Sequence, residues 1–134
     1  MTTKSLKKIN LAILGSYTIE NIKKPLLEFL SKDGFDATLK FGGYNQYNQE
    51  LLDENSWLSE FKPDIVVIAI SSHTLFPDAE YEVADNYESI LKKATDKIGM
   101  LTNAIDQYGQ PSKIIITTLE RPEYSPFGIT DVLK

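Results

Sequence analysis

The 134-residue chain has no cysteine and a single histidine, His73. The first absence excludes a disulfide frame, a thiol nucleophile and any thiolate metal site. It also has no excess of basic charge: 14 Lys and Arg against 19 Asp and Glu leave a net charge of −5. The basic residues are scattered, so there is no electrostatic footprint for nucleic acid. No apolar run approaches the ~20 residues needed to cross a bilayer, and the start, MTTKSLKK, has no signal-peptide apolar core. Cytoplasmic location is the resulting expectation. No G-x-G-x-x-G fingerprint occurs, which argues against a dinucleotide or phosphate cradle.

What is present alternates between two periods. INLAILG (9–15), DATLKF (36–41), DIVVIAIS (64–71) and KIIITTL (113–119) are short apolar runs. Such runs suit strands covered on both faces, with the second, more alternating one nearer an edge. Helical spacing lies between them. One helix is expected from near Asn21, which puts Pro25 harmlessly in its first turn, to the Gly34 stop. A second is expected over about Tyr47–Leu58. A third, long one runs from an Asp78 cap to Tyr108, with the stripe Val83, Tyr87, Ile90, Leu91, Ala94, Ile98, Leu101 and Ile105.

Strand–helix alternation with buried strands predicts one α/β domain over residues 1–134, a three-layer doubly wound parallel sheet of order 2-1-3-4. Ligands of such sheets sit beyond the carboxyl ends of the strands. The residues there are Ser16 and Thr18 after the first strand, Gly43, Asn45 and Gln46 after the second, and Ser72 and His73 after the third. Gln49, one turn after Gln46, shares its helix face. Glycine and carboxamide groups at a crevice rim offer N–H donors for an oxyanion or a polar ligand. Each also has a plainer reading. Ser16 suits a turn, the glycine pair a loop, and the amides a solvated helix start.

LGSYTIENIKKPL and FGGYNQYNQELLDENSWLSEFKPDIVVIAI, with YNQ..Q.LLD..S as the most specific string, resemble the N-terminal domain of FkbH-like proteins. That domain is similar to SGNH (GDSL-type) hydrolases and ordinarily precedes a HAD-type catalytic domain. The resemblance implies Ser16 at the nucleophile position, Thr18 beside it, Gly43 at the oxyanion-hole glycine, and Ser72 or His73 near the third-block asparagine. It further implies partnership with a HAD-type domain and an acyl carrier protein in polyketide-type assembly, where a glyceryl unit is loaded. This chain would then be the N-terminal part of a longer protein. No metal or other cofactor is implied for the domain itself.

The departures are specific. Gly15 stands where GDS has aspartate, no asparagine follows the third strand, and no Asp-x-x-His lies near the C-terminus. Serine attacks efficiently only with an oriented base, and His73 is the single candidate. Three readings follow. The first is a binding module without hydrolytic chemistry, which these departures favour. The second is a serine esterase or acyltransferase using Ser16 and His73. The third is a flavodoxin-like nucleotide or phosphate binder, disfavoured by the missing glycine-rich cradle.

Overall fold

The computed structural model describes residues 5–75 and 87–117, the side chains of His73, Leu75 and Tyr87 excepted. Four strands form one parallel sheet: β1 (Lys7–Gly15), β2 (Phe35–Phe41), β3 (Ile65–Ala69) and β4 (Lys113–Ile116), in the order β2-β1-β3-β4. This is the α/β architecture and strand order expected from the apolar runs. The register sets Leu11 opposite both Leu39 and Ile65, and Val66 opposite Ile114.

Alternation along β1 divides the core in two. Ala12 and Leu14 face one side with Val66 and Ile68, and there they meet Tyr47, Leu51, Leu58, Leu101 and Ala104. Leu11 and Ile13 face the other side with Leu39, packed by Leu26 and Leu27. Helix α1 (Lys23–Lys32) therefore covers the second face. Helices α2 (Tyr47–Leu52), α3 (Trp57–Phe61) and α5 (Tyr87–Gln107) cover the first. A short α4 (Ser72–Leu75) follows β3.

The start of α1 is a 3-10 turn over Glu20–Ile22, so Pro25 occupies the first α-helical turn, where a missing N–H is tolerated. Its end is made by Gly34, whose φ of +93° is open to glycine and whose N–H donates to Ser31 O at 3.1 Å.

The single helix expected over Tyr47–Leu58 is instead two helices. Asp53, Glu54, Asn55 and Ser56 break it. Asp53 Oδ1 accepts the Asn55 N–H at 2.9 Å, and the Ser56 hydroxyl donates to Glu50 O at 2.7 Å. These side chains compete with the helical ladder for backbone groups, which is why they favour turns. The break lets Leu58 fall into the core at 1% exposure.

The long helix corrects another expectation. Leu91 and Ile98 belong to its apolar stripe by spacing, yet they are 49% and 45% exposed. Among its described side chains, those buried are Ala94, Leu101 and Ala104. Two alanines allow close approach to the sheet and α2, and the larger residues are left at the margin. Val83 and the Asp78 cap lie outside the described residues.

β3 is entered through a polar clamp. Asn10 N–H donates to Asp64 Oδ2 at 2.8 Å, its side-chain amide donates to Phe61 O at 3.0 Å, and Asp64 N–H returns to Asn10 O at 2.8 Å. Where β4 begins, Ser112 donates to Pro63 O at 2.6 Å, so the 3.0 Å contact to Tyr108 is donated by the phenol. Burial raises the pKa values of Tyr108 and Tyr47 above the usual tyrosine range.

Candidate functional site

Three loops meet at the carboxyl ends of β1, β2 and β3. Gly15 ends β1, and the Ser16 N–H continues toward β3, donating to Ala69 O at 3.1 Å. The Ser16 side chain is 4% exposed, and its Oγ accepts the Ser71 N–H at 2.9 Å. From the β2 side, the Asn45 N–H donates to Gly15 O at 3.0 Å. Ser16 is thus bonded to the loop after β3, and the residue before it to the loop after β2. The convergence expected from the topology is present in the backbone.

Asn45 sits at φ +56°, a left-handed conformation that asparagine tolerates better than most residues. Its identity is accounted for by the turn, while its exposed side chain remains available at the rim. Gln46, Gln49 and Thr18 are exposed as well, and so are Tyr17 at 43% and Tyr44 at 70%. Ser72 and His73 lie in α4. The α4 turn is tied down by Ser71, whose hydroxyl pairs with Thr74 Oγ1 at 3.0 Å, and by Lys97, whose Nζ donates to Thr74 O at 2.8 Å.

The residue missed at the sequence level is Glu50. Its Oε1 accepts the Gly43 N–H at 2.8 Å, so the backbone donor expected to stand open at the crevice is engaged from within. Its Oε2 is buried without a hydrogen-bond partner. The glycine pair makes room for this carboxylate. A Cβ on Gly42 would collide with Glu50 Oε2 and come within 2.7 Å of Leu14 Cδ2. A Cβ on Gly43 would lie 3.3 Å from Glu50 Oε1 and 2.5 Å from Gln46 Oε1. Two adjacent glycines followed seven residues on by the first carboxylate of an otherwise uncharged stretch were the available signal.

Gly15 has a spatial reason too. A Cβ there would meet Ala69 O at 3.0 Å, tighter than ordinary contact. The close approach of β1 to the end of β3 is thus incompatible with an easy aspartate at this position.

One cleft lies away from these loops. A cleft of about 300 Å³ opens where α2 and α3 meet the end of α5, lined by Asp53, Glu54, Ser59, Gln107, Tyr108 and Gln110 among others. These segments lead into the starts of β3 and β4, so the cleft is at the opposite end of the sheet from Ser16. Its size identifies no chemistry there. Among the described residues no group of three His, Asp or Glu side chains is placed to hold a metal ion. No helix described is long and apolar enough to cross a membrane.

No model of a known protein family matches this sequence, and no curated protein matches it. Among solved structures, the fold is similar to the N-terminal part of the protein BF1531 from Bacteroides fragilis, a chain containing a phosphatase domain and crystallised with magnesium. The TM-score is 0.71 at 20% identity. The similarity covers 96% of this chain and 33% of that one, so this chain spans about a third of the length of its structural neighbour. Identity at this level speaks for the fold alone.

Proposed function

We propose that the chain is the N-terminal SGNH-like module of a FkbH-like protein, binding a partner or an acyl or glyceryl group at its carboxyl edge without hydrolysing esters. The observation that carries the absence of hydrolysis is the prior engagement of both groups that acyl transfer would use. Ser16 Oγ accepts the Ser71 N–H, which draws electron density from the would-be nucleophile. The Gly43 N–H is committed to a carboxylate, where an oxyanion donor must be free to meet developing charge. The fold shared with the N-terminal part of a phosphatase-domain chain supports the modular half of the reading. On this reading a HAD-type catalytic domain and an acyl carrier protein are the partners, and the setting is cytoplasmic.

The test is p-nitrophenyl acetate turnover by the wild type, Ser16→Ala and His73→Ala. All three are expected to stay near the buffer rate. Wild-type turnover at least ~100-fold above buffer, the low end of what a positioned acid–base group supplies, and lost in Ser16→Ala, would replace this reading with a serine esterase or acyltransferase.

A further inference from the structure

Among the described residues, the three segments that follow β1, β2 and β3 at the carboxyl edge have a charge pattern unlike the rest of the chain. Residues 16–19, 42–49 and 70–75, eighteen in all, contain no Asp, Glu, Lys or Arg. At the chain's charged fraction of 25%, eighteen positions would carry about four. The opposite edge shows the contrast, with Asp33 before β2, Lys62 and Asp64 before β3, and Asp53 and Glu54 in the turn before α3. Among the described residues, Glu50 and Lys97 reach the carboxyl edge from helices, and each bonds to backbone there. Glu50 takes the Gly43 N–H, and Lys97 donates to Thr74 O.

What faces solvent there is uncharged and doubly functional. Asn45, Gln46 and Gln49 are exposed, and each carboxamide carries donors and an acceptor. Thr18 adds a hydroxyl. Tyr17 and Tyr44 add two exposed rings, one on each of two loops bonded together through Asn45 N–H and Gly15 O. An anionic ligand would find no Lys or Arg in these three segments, and the one described ammonium that reaches them, Lys97, is bonded to Thr74 O. A hydroxylated neutral ligand would find amide partners for its hydroxyls and aromatic faces for its C–H surface.

We propose that this edge recognises an uncharged polyhydroxylated ligand, of the neutral sugar or polyol class. The inference rests on the reading of the carboxyl edge as the binding site and adds the chemical class of what binds. The loops are pre-ordered for it: Gly43 is fastened by Glu50, Asn45 by Gly15, and Ser71 by Ser16.

The experiment is a titration of the 134-residue protein, followed by amide and carboxamide NMR shifts. The probes are glucose, galactose, N-acetylglucosamine, cellobiose and glycerol, with glucose 6-phosphate and glucuronate as charged counterparts. At least one neutral probe is expected to give saturable shifts over Tyr44–Gln49, with affinity unchanged between low and high salt. Tyr44→Ala, which removes a 70% exposed ring, and Asn45→Gly, which keeps the left-handed turn, are each expected to weaken it at least fivefold. Stronger binding of a charged counterpart at these loops would overturn the ligand class and leave the site standing. Saturable shifts confined to other surfaces, or none with any probe, would overturn the inference; shifts confined elsewhere would remove the site as well.

Discussion

Replacing Gly42 with alanine is expected to destabilise the fold by about 3 kcal/mol, adding overpacking to a lost hydrogen bond. The new methyl would enter space held by Glu50 Oε2 and by Leu14 Cδ2, 2.7 Å away. Leu14 is fully buried and cannot yield. Glu50 can swing out, but that strands the Gly43 N–H it now accepts. Urea unfolding of Gly42→Ala, Glu50→Ala and the double variant separates these contributions. In the double variant the carboxylate is already gone, so the two losses should sum to more than the loss observed. A Gly42→Ala protein within ~0.5 kcal/mol of wild type, the range of an ordinary surface change, would show that the glycine pair is not a seat for the carboxylate.

A loss of about 3–4 kcal/mol is expected for Leu58→Ala, within the range for leucine truncations that leave a cavity. Leu58 is the most buried side chain of α3, at 1% exposure, and packs with Leu14, Leu51 and Ile68 in the larger core cluster. A five-residue helix has little stability of its own, so its placement depends on that anchor. Trp57 and Phe61, whose centroids are 5.8 Å apart, flank it and hold the Lys40 ammonium 5.4 and 5.8 Å from their rings. The control is Leu52→Ala at a 42% exposed position, expected to cost less than 1 kcal/mol. Equal losses at the two positions would mean that α3 is not anchored through Leu58.

The four strands and their order were legible because a parallel strand buried on both faces must be a continuous apolar run, and DIVVIAIS and INLAILG admit little else. The Asp53–Ser56 break was legible in principle: Asp53, Asn55 and Ser56 are turn formers, although Leu51 and Leu58 on either side share a helical period. Along α5, hydrophobic spacing alone does not separate Leu91 and Ile98, which stay at the margin, from the small residues at the contact. Ala104 is buried where a larger side chain would hold the helix away. At the candidate site, topology brought the loops together, but the Glu50–Gly43 bond depends on a side chain reaching back across a turn. No periodicity reports such a contact. Asn45 illustrates the converse, a residue selected by sequence for its amide and placed by the structure in a left-handed turn.

The strand register also sets a timetable. β1 meets β2 across 28 residues of chain, but meets β3 across 54, and β3 meets β4 across 48. Each doubling of a loop adds roughly 0.6 kcal/mol of closure entropy, and rates fall as contacts become less local. The β1–α1–β2 unit is therefore expected to form first, with its own small core of Leu11, Ile13 and Leu39. Both bonds that fix Ser16 run to the β3 side, one to Ala69 and one from Ser71. In pulse-labelled hydrogen exchange, the amides of Ala37 to Leu39 should become protected before those of Ser16 and Ser71; simultaneous protection would contradict this sequence. Ser16 is thus a keystone set late, which couples the geometry of the carboxyl edge to the most distant of the three strand pairings among the described residues.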